Sequence, residues 1–217
     1  MNWNGYVDSY CERVGPGIWG EPLNSLSNLA FLVAAVAVWR LARGDRTGRL
    51  LAVLIGLVFA ASTVFHLLAT RWSAAADSLF ILVFVLCYAV LFARVFFGVA
   101  AKLAWLAAPA FLGFTAVIAL VGGGLYLSAL IGLFAFGLLL AFSPDSARRA
   151  FWPHYVVSGA IFALSLSLRT IDRDICDFVP VGTHFLWHIL NAVVLYLVSR
   201  TLLLKRREGL LTSSESR

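Results

Sequence analysis

The chain has 217 residues, of which 61% are apolar and 13% are charged, and its formal net charge is +6. An ordinary soluble domain is about half apolar and about a quarter charged, so this composition excludes a water-soluble globular protein. It also excludes an intrinsically disordered chain, because such chains are poor in aromatic residues and this one has 17 Phe, 7 Trp and 6 Tyr. The chain belongs in a membrane, and the absence of low-complexity tracts indicates a single domain over residues 1–217.

Seven apolar stretches approach the ~20 residues that a helix needs to cross a ~30 Å hydrocarbon core. In chain order they are Pro22–Ala42, Arg49–Ala69, Ala74–Phe97, Lys102–Val121, Gly124–Phe142, Arg149–Arg169 and Val181–Leu204. Short connections rich in glycine, proline or charge separate them, and Gly122–Gly124 alone divides the fourth from the fifth. We expect no signal peptide, because the acidic segment 1–21 lacks a basic start. The sequence therefore predicts an all-α bundle of seven transmembrane helices.

The distribution of Lys and Arg predicts the orientation, because basic loops are retained on the cytoplasmic side. With the N-terminus outside and the C-terminus cytoplasmic, all basic residues lie inside except Arg13, Arg71, Arg169 and Arg173. The basic and polar tail 205–217 is then an anchor beside anionic lipid, and no nucleic-acid partner is expected. The brief loops and the Ala, Leu and Arg content indicate a bacterial inner membrane, with an ER or Golgi membrane as the alternative.

Four polar side chains inside the predicted helices converge on one depth of the membrane. Ionisable groups are costly in a bilayer and therefore mark functional sites. His66 follows Ser62 by four residues on the second helix, and His188 follows His184 by four on the seventh, so each pair shares a helix face. Asp77 lies at the start of the third helix. The predicted orientation places the three histidines and Asp77 in the outer leaflet.

Three imidazoles at one depth are typical of a catalytic zinc site, in which three neutral histidine nitrogens leave a fourth position for water. Histidines four residues apart can hold one ion from one helix face, and His66 from another helix would complete the set. Asp77 could accept a proton from that water, whose pKa the metal lowers to about 7, and Ser62 could donate a hydrogen bond to a developing oxyanion. The sequence thus carries the groups of a hydrolase.

Two other interpretations of the histidines remain open from their spacing. They could hydrogen bond between helices, or they could carry protons across the membrane. Haem binding is disfavoured, because two histidines on one helix face cannot bind opposite faces of a porphyrin.

The motif set resembles that of the alkaline ceramidases, which belong to the CREST group of seven-helix membrane hydrolases. The matching residues are Ser62-Thr-Val-Phe-His66, Asp77 and His184-Phe-Leu-Trp-His188. The N-terminal residues Cys11-Glu12 and Glu21-Pro-Leu-Asn24-Ser-Leu-Ser-Asn28 are similar to the opening of the ceramidases. The resemblance covers the N-terminus and the second, third, sixth and seventh helices.

The resemblance implies that His66, His184 and His188 bind zinc, that Asp77 is the acid/base and that Ser62 supports the oxyanion. The expected reaction is hydrolysis of the amide of ceramide, or of a related N-acyl lipid, to a fatty acid and a sphingoid base. Ser78-Leu-Phe80 replaces acidic and proline residues of the family, so the accepted lipid is not implied. The alternatives are a non-catalytic lipid-sensing receptor and another lipid hydrolase on the same scaffold. No obligate protein partner is expected.

The resemblance also raises two expectations for the N-terminal segment. Animal alkaline ceramidases hold calcium there, and in this chain Asp8, Glu12 and Glu21 could supply carboxylates and Tyr10 its carbonyl oxygen. Val14 stands at the family's asparagine position, and the plain alternative is a solvated acidic segment. Cys11 and Cys176 fall on the outer, oxidising side and could form a disulfide, as the resemblance also implies.

Overall fold

The computed structural model describes residues 2–215, with side chains through residue 209. The regular secondary structure of these residues consists of helices, apart from one isolated bridge between Tyr6 and Thr70. The helices are α1 Pro22–Ser27, α2 Leu29–Ala42, α3 Arg46–Leu68, α4 Arg71–Phe97, α5 Ala101–Ala104, α6 Ala107–Leu120, α7 Leu125–Ala141, α8 Ser146–Arg149, α9 Trp152–Ile171 and α10 His184–Glu215. A 3₁₀ turn, Asp172–Ile175, follows α9. The predicted all-α class is therefore confirmed for the described residues.

Six helical stretches of the described chain are long and apolar enough to cross a membrane: Pro22–Ala42, Arg46–Leu68, Arg71–Phe97, Ala101–Leu120, Ser146–Ile175 and His184–Gly209. The chain is therefore a membrane protein. The helix at the fifth predicted stretch, α7, has 17 residues, somewhat fewer than the ~20 of a full crossing. Seven crossings and the orientation of the termini stay predictions.

The helix boundaries differ from the predicted stretches where capping residues decide them. The helix α3 begins three residues before Arg49, because the Asp45 side chain accepts a hydrogen bond from the Gly48 N–H at 2.8 Å. A capping box of Thr70 and Ser73 likewise starts α4 ahead of Ala74. These polar caps lie outside the apolar runs and so extend the helices beyond them.

The last helix, α10, starts and ends later than the predicted stretch Val181–Leu204. Gly182 has a φ of +62°, and α10 begins at His184. It continues through much of the predicted tail 205–217 to Glu215. Residues 216 and 217, like Met1, lie outside the described residues.

The helix α10 occupies the middle of the bundle and packs against α1, α2, α3, α4 and α9. The core beside it is largely aromatic: the hydroxyls of Tyr88 and Tyr155 hydrogen bond to each other at 2.7 Å, and Tyr88 donates to the Val198 carbonyl at 2.9 Å. Phe92 and Phe136 stack with ring centroids 3.9 Å apart. A central α10 means that most of the bundle supports the helix that carries two of the histidines.

The N-terminal segment crosses the end of the bundle at which the histidines lie. Val7 donates its N–H to the Ala69 carbonyl at 2.7 Å, just after α3 ends. A disulfide joins Cys11 to Cys176 and confirms the predicted pairing. The segment is thus bound both to the α3–α4 connection and to the region before α10.

Candidate metal centre

The three predicted ligands meet in the structure. His66 lies near the end of α3, His184 is the first residue of α10, and His188 follows it by one turn. All three side chains are buried, and one potential ligand atom from each lies within 4.8 Å of the others. This histidine cluster could hold a metal ion, as the spacing predicted.

Neighbouring groups determine which nitrogen of His66 and His188 carries the proton. His66 Nδ1 contacts the Glu21 carboxylate, an acceptor, so Nδ1 is the protonated nitrogen. His188 Nδ1 lies 2.8 Å from the Ser27 hydroxyl oxygen, and that hydroxyl donates its proton to the Asn24 carbonyl at 3.0 Å. Ser27 therefore accepts from His188 Nδ1. Both rings keep the lone pair on Nε2.

These two lone pairs face each other, since His66 Nε2 and His188 Nε2 lie 3.1 Å apart. Two unprotonated nitrogens at this distance repel each other unless a cation lies next to both. Nitrogens bound at 2.0–2.1 Å to a tetrahedral zinc lie about 3.3 Å apart, close to the separation in this pair. The donor set therefore fits a metal that prefers imidazole.

The third histidine, His184, is positioned by one contact to its ring and one hydrogen bond from its backbone. Tyr10 stacks on the His184 ring with centroids 3.6 Å apart. The His184 N–H donates to the Asp172 carboxylate at 2.9 Å, which anchors the start of α10. Its Nδ1 is buried and lacks a hydrogen-bond partner among the described residues. An orphaned ring nitrogen in this cluster is a further mark of a ligand site.

Asp77 and Ser62 lie beside the histidine cluster but are not members of it. The buried Ser62 hydrogen bonds to Asp77, while Asp77 Oδ1 has no partner among the described residues. Arg169, held over the rings of Tyr126 and Trp187 at 4.7 and 5.6 Å, interacts electrostatically with Asp77. Asp77 therefore presents one unpartnered oxygen beside the cluster, and its role as the acid/base stays a prediction.

The four residues predicted for calcium have other partners in the structure. Glu12 accepts the backbone N–H groups of Leu23 and Asn24 at 2.7 and 2.8 Å, at the start of α1. Asp8 is exposed and 3.5 Å from Arg173, and the Tyr10 carbonyl accepts the Arg13 N–H at 3.2 Å. Calcium binding by this segment stays a prediction.

Glu21, the fourth of these residues, is fully buried between Arg13 and His66. Burial raises the pKa of Glu21 to about 7, against the opposing effect of the Arg13 charge. The structure thus places Glu21 directly behind the histidine cluster, not at the solvated surface that the plain alternative expected.

Several residues around the cluster were not predicted as parts of the site: Arg13, Ser27, Arg169 and Asp172. Arg13 carried a signal, because it is the sole Lys or Arg among residues 1–21. Asp172 carried none, since its contact with Cys11 spans 161 residues of sequence.

An apolar cavity lies on the other side of the cluster, toward the middle of the bundle. It has a volume of about 70 Å³ and is partly open, and its lining includes Ile81, Phe84, Tyr88, Tyr126, Asn191 and Val198. Ile81 is one turn beyond Asp77 on α4, and Asn191 is one turn beyond His188 on α10. The cavity therefore begins one turn below the site.

Fold and site together define an integral membrane protein with a buried three-histidine centre. No protein-family model matches the chain, and no curated protein matches it either.

Proposed function

We propose that the protein is a zinc-dependent intramembrane amidase that hydrolyses ceramide or a related N-acyl lipid to a fatty acid and a sphingoid base. The observation that carries the proposal is the 3.1 Å approach of His66 Nε2 and His188 Nε2, with His184 beside them and Asp77 outside the cluster. Three imidazoles with one separate carboxylate are the groups of a metal-assisted hydrolase.

Zinc in such a site acts as a Lewis acid and lowers the pKa of a water to about 7. Side chains of the protein carry out the proton transfers and stabilise the oxyanion. Asp77 accepts a proton at its unpartnered Oδ1 and later passes it to the leaving amine. Ser62 turns its hydroxyl from Asp77 to the developing oxyanion.

The apolar cavity supports a lipid as the substrate. An acyl chain extending from an amide at the cluster would follow the cavity between Ile81 and Val198, where its surroundings are hydrocarbon and aromatic rings. The N-terminal segment lies over the opposite side, where the polar head group would be. In the predicted orientation this head group is at the outer surface of the membrane.

The test is the release of fatty acid from a ceramide with a labelled acyl chain by purified protein in detergent. We expect release that stops when a chelator removes the metal and returns when zinc is added back. The matched control is the His184→Ala variant, purified in the same way. Binding of the lipid without any release by the zinc-loaded protein would contradict the proposal.

A further inference from the structure

A positively charged side chain lies buried behind the histidine cluster. The Arg13 side chain is fully buried, and its guanidinium lies 5.2 Å from the centre of the Phe65 ring, next to His66 in sequence. Burying a guanidinium is costly, and such a group is retained where it makes a specific pairing. The partner of Arg13 is Glu21.

Arg13 contacts both oxygens of that carboxylate. Its Nε is 2.7 Å from Glu21 Oε1, and its Nη2 donates to Glu21 Oε2 at 2.9 Å. A guanidinium has donors only, so it aligns the carboxylate as a pure acceptor. Oε2 is also the atom that contacts His66 Nδ1. One chain of contacts therefore runs from Arg13 through Glu21 to a predicted metal ligand.

The Arg13 guanidinium supplies a positive charge directly beside Glu21. The sequence assigned Glu21 to calcium, together with Glu12. In the structure both Glu12 oxygens accept backbone N–H groups, and both Glu21 oxygens contact Arg13. A divalent cation at the same carboxylate would face the positive charge of Arg13 at close range.

We propose that Arg13 is a positioning residue, an internal cation that holds Glu21 against His66 and so sets the metal affinity of the histidine cluster without calcium. This inference rests on the proposed function only in that it requires a metal at the cluster. Partners that orient a metal-binding histidine typically change metal affinity by about 10- to 100-fold when they are removed.

The test measures the zinc dissociation constant by competition with a chromophoric chelator, and the absorption spectrum of the cobalt-substituted protein. We expect Arg13→Gln to raise the zinc dissociation constant by about 10- to 100-fold and to shift the cobalt spectrum, because His66 loses its fixed orientation. The matched control is Arg173→Gln, which removes a half-exposed arginine paired with Asp8 and should leave both readings unchanged. Calcium added to the wild type should also leave them unchanged.

Arg13→Lys keeps the charge but not the two-point contact, so it should fold and show a smaller rise in the dissociation constant than Arg13→Gln. If Arg13→Gln does not fold, Arg13→Lys decides: a dissociation constant and spectrum equal to wild type would overturn the inference. Tighter zinc binding by the wild type in the presence of calcium would overturn it as well. Failure of the wild type to bind zinc would instead overturn the proposed function, and with it the premise of this inference.

Discussion

A histidine offers a lone pair to a metal from one ring nitrogen when the other nitrogen carries the proton. At His66 and His188 the protonated nitrogen is set by contacts from Glu21 and Ser27, which belong to the N-terminal segment and to α1. Both contacts leave Nε2 unprotonated, and the two Nε2 atoms face each other. The chemistry of the site at the scale of single residues therefore depends on neighbours that are themselves not ligands.

Loss of any one ligand should remove the metal. We expect His66→Ala, His184→Ala and His188→Ala each to lower bound zinc from about one ion per chain toward none, because a site of three imidazoles needs all three. Metal analysis of the purified variants measures this. His154→Ala, which changes the fourth histidine, is the control and should retain zinc. Full zinc occupancy in all three ligand variants would show that the cluster is not the metal site.

Asp77 should matter for turnover and not for metal binding. Asp77→Asn keeps the shape of the side chain but cannot move a proton, so we expect retained zinc and hydrolysis slower by a factor of roughly 10² to 10⁴. Ser62→Ala should lower the rate by roughly 10² to 10³ through the loss of one oxyanion donor. Rates and zinc content are measured on the same preparations. Undiminished turnover by Asp77→Asn would remove this residue from the mechanism.

At the scale of elements, the site depends on the bonds that join the N-terminal segment, the end of α9 and the start of α10. Asp172, at the end of α9, accepts the N–H groups of Cys11 and His184, so it links the N-terminal segment to the start of α10. The disulfide between Cys11 and Cys176 also joins the N-terminal segment covalently to the region between α9 and α10. Because α10 begins with a predicted ligand, its first turn is also part of the site.

Breaking the disulfide should destabilise the protein. The bond joins residues 165 apart in sequence, and for a loop of this length the chain-entropy model allows up to about 5 kcal/mol of stabilisation. We expect Cys11→Ser and Cys176→Ser each to lower the melting temperature in detergent, and the double variant to match the single ones, because all three lack the same bond. Cys87→Ser, at the free cysteine, is the control. A double variant much less stable than either single variant would contradict the shared bond.

The opposite end of α3 is fastened by Asp45, which caps the helix and contacts Arg206 of α10 at 2.7 Å. Burial disfavours the charged form, but the hydrogen bonds from Arg206 and Gly48 outweigh it and lower the pKa of Asp45 below its usual 3.8. Asp45→Ala should therefore cost about 1 to 2 kcal/mol at neutral pH.

The same variant has a defined pH dependence. Because the folded-state pKa of Asp45 is lowered, its contribution to stability is present above about pH 4 and is lost as the pH falls through the folded-state value. We expect the difference in melting temperature between wild type and Asp45→Ala to shrink below that pH. Asp174→Ala, at an exposed carboxylate, serves as the comparison. A difference that stays constant down to pH 2 would contradict this linkage.

At the scale of the whole molecule, the order of helices around α10 brings the N-terminal segment, the end of α3 and the starts of α4 and α10 to one end of the bundle. The helix α6 lies at the periphery, and its side chains are exposed or half-buried. The predicted cytoplasmic tail leaves from the opposite end. The histidine cluster therefore lies at one end of the bundle, and the predicted orientation places that end at the outer surface of the membrane.

The orientation and the crossing by α7 can be measured together. Val121 precedes this helix and Ser146 follows it, and both are exposed. In a Cys87→Ala background, a membrane-impermeant maleimide should label Val121→Cys in intact cells, and Ser146→Cys only after permeabilisation, because the N-terminus is predicted outside. Labelling of both positions from the same side would mean that α7 does not cross. Labelling in the reverse order would mean that the orientation is inverted.

The amino-acid sequence by itself determined the class of protein and the three histidines that lie together in the structure. Runs of about 20 apolar residues form helices in a membrane through hydrogen bonds within each run, so the approximate limits of these helices follow from local pattern, while the seventh crossing stays a prediction. A spacing of four residues places His184 and His188 on one helix face in any helical packing. The charge bias of the loops suggested that His66 lies at the same depth.

The tertiary structure alone decided the surroundings of these histidines. The contacts of Glu21 with Arg13 and His66, of Ser27 with His188, and of Asp172 with Cys11 join residues up to 161 positions apart. Such contacts depend on the rotation and packing of helices against each other, which no local pattern specifies. For this reason the position of Glu21, between a buried arginine and a histidine of the cluster, does not follow from the sequence.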